Sequence, residues 1–337
     1  MAGLLDPIVI GGVRLRNRIV MAPMNLNISS PNGEVTQRQI EHYVTRAANT
    51  GLVIVEFTFV SQHGKISSGQ LGIHNDRLIP GLRKLVDAIH GTNAQVVIQL
   101  GHGGSRATNT TSSDQPVAPS AIIDPDPRHA ARMEMPRALS TSEIVEIVTG
   151  FGEAARRAVE AGFDGVELHG CHGYLLNQFM SPLTNHRDDE YGGDPERRLR
   201  FPLDVIHEVK RRLGGGHLLL YRFAVDDFIP GGLTLEQSLN IAPRVENAGV
   251  SVIDISGGLG DSGWARPQSG EQGTFIPMAQ RIKGVVGVPV IGVGNITDSR
   301  FADRVVREGK VDMVAIGRAL LADANWSTET ARILGFG

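Results

Sequence analysis

Eight short apolar runs rich in β-branched residues recur along the chain, and helical patterns separate them. This alternation constrains the fold more than any other feature of the sequence. Continuous apolar runs of this length are typical of parallel strands that are buried on both faces. The runs cover residues 18–22, 52–57, 95–100, 165–169, 218–223, 251–256, 288–292 and 313–316.

The segments between the runs have the periodicity of amphipathic helices. Ser140 and Glu143 have the spacing of a capping box. The apolar residues that follow them, among them Ile144, Ile147 and Phe151, share one helical face. Eight strand–helix units in succession predict an α/β protein with the (β/α)8 TIM-barrel fold.

A doubly wound sheet is the competing α/β architecture, but it usually has fewer units and a phosphate loop after its first strand. A G-x-G-x-x-G pattern does occur, at residues 258–263. It follows the sixth apolar run and leads into Trp264 and Pro267 instead of a helix. We therefore interpret it as a loop and not as a dinucleotide-binding turn.

Length and charge narrow the class of protein. The 337 residues would allow two domains, but barrels of this length are common, so one domain over 1–337 is predicted. A formal net charge of −3 gives no electrostatic reason to expect nucleic acid or an anionic membrane as a partner. No apolar run reaches the roughly 18 residues of a membrane span. A small-molecule substrate is the expected partner.

Cys171 is the only cysteine of the chain. A disulfide within the chain and a cluster held by several cysteines are therefore excluded. The first residues show no basic segment followed by a long apolar one, so no signal peptide is predicted. A cytoplasmic protein is expected.

One connection is much longer than the others. Residues 102–137, between the third and fourth predicted strands, are polar and rich in proline. Such a connection in a barrel is usually a lid or part of the active-site rim. A disordered segment is the alternative interpretation.

Two imidazoles and a phenol lie at the end of the fourth predicted strand, as His169, His172 and Tyr174. Imidazoles can donate hydrogen bonds to an oxyanion, and a phenol can transfer a proton. The group therefore indicates a site that polarises a carbonyl and protonates a neighbouring carbon. A structural histidine pair or a metal site is the common alternative for this spacing, and Cys171 between the histidines could be a nucleophile or simply a packing residue.

In a TIM barrel the active face is formed by the carboxyl ends of the strands and the loops that follow them. Carboxylates are scarce at these positions, and no lysine ends a strand. This pattern argues against magnesium-assisted enolase chemistry, paired-acid glycosidases and Schiff-base aldolases. Two glycine-rich segments have the composition and position of a phosphate-binding site: Gly292, Gly294 and Asn295 at the end of the seventh strand, and Gly317 with Arg318 at the end of the eighth.

The chain resembles the Old Yellow Enzyme family of flavin oxidoreductases, on three segments. Residues 16–24 resemble the first strand of that family, and residues 316–318 resemble its phosphate loop. Its fourth-strand signature is matched by residues 169–179, 181–187 and 189–193 and by Arg197. The resemblance covers essentially the whole chain. The two histidines in place of a histidine and an asparagine are similar to the bacterial branch related to the xenobiotic reductases.

The resemblance implies noncovalent FMN across the barrel mouth, NADH or NADPH as hydride donor, and reduction of an activated alkene. His169 and His172 would bind the substrate carbonyl. Tyr174 would protonate the α-carbon while the flavin transfers hydride to the β-carbon. Asn27 and Trp264 would also contact the substrate. The expected cofactor contacts are Pro23, Met24, Asn25, Phe57, Gln99, Arg222 beside the flavin N1 and O2, Gly292, Gly294, Asn295, Gly317 and Arg318. A homo-oligomer, dimeric or tetrameric, is expected.

Three departures from the family pattern leave alternatives open. Asn25 stands where threonine or cysteine is frequent, Asn27 where the bacterial branch often has tyrosine, and Phe57 where a small residue is common. A flavin-dependent amine dehydrogenase or N-demethylase of the same family is therefore an alternative. A zinc-dependent barrel enzyme is a second, with His169 and His172 joined by His102 or Glu167 as third ligand.

Overall fold

The computed structural model describes residues 2–107, 115–131, 133–260 and 271–335. Its centre is a closed barrel of eight parallel strands, in which the last strand pairs with the first. The barrel strands are β3 (Ile19–Met21), β4 (Leu52–Phe59), β5 (Gln95–Gly101), β8 (Gly165–Gly170), β9 (Leu218–Ala224), β10 (Val252–Ser256), β11 (Val290–Gly292) and β12 (Met313–Ile316). All eight predicted strands are confirmed, with ends that differ by at most two residues.

Helices surround the barrel, except for the short third helix, which belongs to the long connection. They are α1 (Gln37–Ala47), α2 (Ile79–His90), α3 (Pro127–Ala130), α4 (Thr141–Ala161), α5 (Leu175–Met180), α6 (Pro195–Leu213), α7 (Leu235–Asn247), α8 (Ile276–Lys283), α9 (Ser299–Arg307), α10 (Arg318–Ala322) and α11 (Trp326–Ile333). The capping box predicted before α4 is present: Ser140 accepts from the Glu143 backbone N–H, and the Glu143 carboxylate accepts from the Ser140 backbone N–H. Within the described ranges, no helix is both long and apolar enough to cross a membrane.

Alternate residues of the strands fill the barrel in layers, since strand side chains point to opposite faces with a period of two. The lower layer is apolar and buried, with Val97, Leu220 and Val252 among its members. A short hairpin of β1 (Ile8–Ile10) and β2 (Val13–Leu15) packs against this layer. Two residues further along the same strands the interior becomes polar, with Gln99, Glu167, Arg222 and Asp254. The polar side chains of the barrel interior therefore lie on the carboxyl-end side of a buried apolar layer.

The long connection contains short ordered elements in its described residues. Strand β6 (Val117–Ala118) pairs in parallel with β7 (Arg137–Ala138). Helix α3 follows the side-chain cap of Asp126. The strand pairing joins the middle of the connection to its carboxyl end, just before α4.

Residues 258–260 of the glycine motif follow β10, and the N–H groups of Gly258 and Gly260 donate to the carbonyls of residues 226 and 227. No helix begins in these three residues. The rest of that motif, with Trp264, lies outside the described residues.

Candidate active site

Four aromatic rings meet at the carboxyl end of β4 and β8. The His169 ring centroid lies 5.1 Å from that of His172, 4.8 Å from Tyr174 and 5.2 Å from Phe57, all in edge-to-face geometry. Phe57 also contacts Tyr174, with centroids 4.7 Å apart. The histidines and the phenol that the sequence groups together are therefore neighbours in space.

Phe57 reaches this cluster because the pairing of β4 with β5 shifts register between Val55 and Thr58. Such an irregularity turns side chains away from the regular alternation. A Cβ atom at Gly101 would overlap the Phe57 ring, so the glycine on the neighbouring strand makes room for it. Phe57 thereby covers His169 and Tyr174 from one side.

His172 has a left-handed backbone, with φ at 57°. A non-glycine residue in this region needs support from its surroundings, and such residues concentrate at functional sites. The His172 N–H donates to the Gly257 carbonyl at 3.0 Å, and its Nε2 lies 2.7 Å from the Ser256 hydroxyl. The end of β10 therefore fixes the orientation of this imidazole.

Arg106 is the positioning residue that the sequence analysis missed. Its Nη1 donates to the His172 carbonyl and its Nη2 to the Leu259 carbonyl at 2.9 Å. Its Nε forms an ion pair with Asp124 at 2.6 Å, and both side chains are buried. A single arginine from the long connection thus braces the loops that follow β8 and β10.

Gly173 is required by this arrangement. Its φ is +69°, and a Cβ atom there would overlap the Arg106 guanidinium group. We expect Gly173→Ala to lower the melting temperature and to impair substrate reduction, because the arginine must move.

Gly150→Ala is the matched control, since Gly150 lies within α4 and a Cβ atom there meets nothing within 4 Å. That change should stabilise the protein by about 0.5–1 kcal/mol. Equal melting temperatures for the two variants, measured by circular dichroism, would contradict this account.

Burial determines the protonation of the cluster. It lowers the pKa of His169 well below its usual value, and the charges of His172 and Arg222 act in the same direction. Burial also raises the pKa of Tyr174. At neutral pH the site therefore presents an uncharged imidazole and a protonated phenol.

A cavity of about 300 Å³ opens beside His172 at the barrel mouth. None of the described residues that line it is acidic, whereas two are arginines. The lining residues are Ala22, Pro23, Met24, His172, Arg222, Ser256, Phe275, Val293, Gly294, Asn295, Ile296, Thr297, Ala315, Gly317, Arg318 and Ala319. The cavity is therefore suited to an anionic ligand with a large apolar part.

The two predicted glycine loops form one end of this cavity. Gly294 has φ at +125°, and a Cβ atom there would approach the backbone nitrogen of Thr274 to 2.6 Å. Gly317 precedes α10, and no side chain caps that helix. The first N–H groups of a helix have no partner within it, so those that follow Gly317 can donate to an anion. Arg318 lies beside them.

The remaining predicted cofactor and substrate residues lie outside the cavity lining. Asn25 is exposed, and Asn27 is exposed with φ at 54° and accepts from the Ser67 hydroxyl. Gly292 packs outward, because a Cβ atom there would meet Ile276 and Val311. Trp264 is not described.

Gln99 lies below the cavity, in the polar layer of the barrel, where its Nε2 donates to Glu167 Oε1 at 2.7 Å. Asp254 Oδ2 lies 3.6 Å from Arg222 Nε in the same layer. The sequence analysis considered Glu167 only as a zinc ligand and did not single out Asp254, because both carboxyl groups lie before the ends of their strands.

A metal site would use a different third ligand from the two considered above. The ligand atoms of His169, Cys171 and His172 lie within 4.8 Å of one another. His102 instead accepts a hydrogen bond from the Gly104 N–H, and Glu167 accepts one from the Gln99 side chain. Cys171 is fully buried, with its sulfur 3.5 Å from His169 Nδ1.

Comparison with known proteins identifies the family. The model of the NADH:flavin oxidoreductase / NADH oxidase family matches residues 3–334. The chain belongs to this family. It is 44% identical over 322 residues to an NADH oxidase of Thermoanaerobacter brockii, covering 94% of this chain and 49% of that one. It is 38% identical over 334 residues to an NADPH dehydrogenase of Geobacillus sp. (strain WCH70), and the match covers 98% of this chain and 94% of that relative. The chain thus spans about half the length of the first relative and nearly all of the second.

A solved structure of an old yellow enzyme homologue from Zymomonas mobilis superposes with a TM-score of 0.86 at 28% identity, covering 98% of this chain and 93% of that one. The resemblance found in the sequence, the TIM-barrel fold and the oxidoreductase class are therefore confirmed. The cofactor of this family is FMN, reduced by NADH or NADPH.

The residues present fit FMN. The cavity offers an apolar wall with Pro23 and Met24, a buried arginine at Arg222, and two glycine loops with Arg318 at one end. Gly294 and Gly317 lie where backbone N–H groups can approach a phosphate closely. This distribution of apolar surface and positive charge matches an isoalloxazine ring that carries a phosphate at the end of a side chain.

Proposed function

We propose that the protein reduces activated alkenes, such as enones and enals, at the expense of NADH or NADPH. The proposal depends mainly on one observation, the contact of His169, His172 and Tyr174 beside the cavity that fits FMN. A donor pair and a proton source at one edge of a flavin site are what the reduction of a conjugated carbonyl compound requires.

His169 and His172 bind the substrate carbonyl oxygen in this proposal. The low pKa of His169 keeps its ring neutral, so that it donates a hydrogen bond without adding a buried charge. His172 Nε2 is engaged with the Ser256 hydroxyl. A substrate oxygen that binds this nitrogen would replace that hydroxyl, and the polarised carbonyl then makes the distal alkene carbon electrophilic.

Tyr174 supplies the proton to the α-carbon. Its raised pKa keeps the phenol protonated at neutral pH. Tyr174 directly precedes α5, and the Gln178 N–H donates to its carbonyl at 2.8 Å, so its backbone is fixed. The Phe57 ring packs edge-to-face against the phenol, with the ring centroids 4.7 Å apart.

Arg222 acts on the cofactor. Bound FMN, held by Arg222 and the two glycine loops, would supply the hydride chemistry between the nicotinamide and the alkene. Arg222 is 6% exposed and lines the cavity, so its positive charge is little screened by solvent. It would stabilise the negative charge that accompanies reduction.

The visible spectrum tests the proposal. Purified protein should show a flavin spectrum that bleaches when NADH or NADPH is added without oxygen and recovers on addition of 2-cyclohexenone. Bleaching by a methylated amine, with none by either nucleotide, would overturn the proposal in favour of amine oxidation. Colourless protein that contains stoichiometric zinc and does not take up FMN would support the metal-dependent alternative.

A further inference from the structure

Two carboxyl groups and one guanidinium group share the polar layer below the cavity. Strands β8 and β10 pair with the two sides of β9, which carries Arg222. Asp254 on β10 is the direct register partner of Arg222, and Glu167 on β8 is the register partner of Leu220, two residues before Arg222. Both carboxyl side chains are completely buried. No other charged side chain belongs to this layer among the described residues of those three strands.

The charges of this cluster do not balance if both acids are ionised. Two carboxylates and one guanidinium would leave a net negative charge in a core that excludes water, which is strongly unfavourable. Burial raises the pKa of both acids, and each carboxyl group interacts with the other. One bound proton therefore makes the cluster neutral.

The hydrogen bonds indicate which acid holds that proton. Glu167 Oε1 accepts from Gln99, whereas Oε2 is buried and no donor reaches it. Both Asp254 oxygens are also buried without a donor in hydrogen-bonding geometry, although Arg222 lies 3.6 Å away. Ionised carboxyl groups only accept, so two neighbouring acids cannot bond to each other without a proton. A proton on Glu167 Oε2 would satisfy both groups and leave the charge on Asp254, beside the arginine.

We propose that Glu167 and Asp254 act as a proton-sharing pair that positions and partly neutralises Arg222, and that this pair thereby sets the reduction potential of the flavin bound above it. The proposal depends on FMN binding beside Arg222 but not on the identity of the substrate. Glu167 and Asp254 are positioning residues, since they act on the cofactor through Arg222.

Midpoint potentials of the holoprotein, measured by equilibration with a redox dye, test the pair. Asp254→Asn removes the negative charge beside Arg222, so reduced flavin should be favoured about tenfold, which is ~30 mV for a two-electron couple. Glu167→Gln replaces a neutral acid by a neutral amide and is the matched control, with an expected change below about twofold. The proposal would be overturned if Asp254→Asn left the midpoint potential unchanged. It would also be overturned if Glu167→Gln shifted the midpoint potential by as much as Asp254→Asn, or by more.

Infrared spectroscopy provides a readout that does not need a stable Asp254 variant. The difference spectrum between the oxidised wild type and Glu167→Gln at neutral pH should contain the carbonyl stretch of a protonated carboxyl group, shifted in D₂O. Its absence would show that Glu167 is ionised and would overturn the proposal. Failure of the enone to reoxidise the flavin would instead count against the proposed substrate class, and neither measurement here depends on that step.

Discussion

Replacing Tyr174 by Phe is expected to slow reoxidation of the reduced flavin by 2-cyclohexenone about 10²- to 10⁴-fold, the usual contribution of a positioned general acid. The proton for the α-carbon would then have to come from water, which is a weaker acid than a phenol and is not held in position as a side chain is. The ring contacts survive the substitution, so the site should keep its shape.

The two half-reactions separate the proton-donor role from a general loss of activity. In stopped-flow experiments without oxygen, Tyr174→Phe should be reduced by NADH or NADPH at close to the wild-type rate. Tyr191→Phe is the matched control, since Tyr191 packs on Phe179 and its hydroxyl donates to Asp204 at 3.3 Å on the outside of the barrel. If the enone reoxidises the reduced flavin of Tyr174→Phe at the wild-type rate, another group supplies the proton.

Replacing Arg106 by Met should lower the free energy of unfolding by about 3–5 kcal/mol, the cost of leaving one member of a buried ion pair without its partner. The Asp124 carboxylate would remain buried, and the carbonyls of His172 and Leu259 would lose their donor. Reduction of the enone should fall as well, because the left-handed backbone of His172 loses its support.

Urea denaturation measures this effect. Arg332→Met serves as the control, because the pair of Arg332 with Glu329 on α11 is exposed and such pairs contribute little. The double variant Arg106→Met/Asp124→Asn should recover part of the lost stability, since it no longer buries an unpaired charge. If Arg106→Met and Arg332→Met lowered the free energy of unfolding equally, the role assigned to the buried pair would be wrong.

Local pattern was sufficient for the barrel and for the centre of its site. Strand and helix periodicities repeat within a few residues, so the eight apolar runs could be located to within two residues of the observed strands. His169, His172 and Tyr174 are neighbours in the chain, and the end of one strand brings them together. The family resemblance then supplied the cofactor, which composition and periodicity alone could not.

The support of the site was not predictable in the same way. Arg106 lies 66 residues from His172 and 153 from Leu259 in the chain, and its position in a polar, proline-rich connection gives no indication of these partners. Ser256 reaches His172 across 84 residues. Contacts of this kind depend on how the loops close above the barrel, which no local periodicity encodes.

The sequence by itself determined the fold class, the order of the strands, the histidine–tyrosine group and the glycine loops, because each of these depends on residues that lie close together in the chain. Only the tertiary structure decided that Phe57 covers the phenol and that Glu167 and Asp254 lie together beside Arg222. A register shift between β4 and β5 turns the ring, and the pairing of β8 and β10 with the two sides of β9 places the two acids near the arginine. Burial then changes their protonation, because the energy of a charge depends on its surroundings and not on its place in the chain.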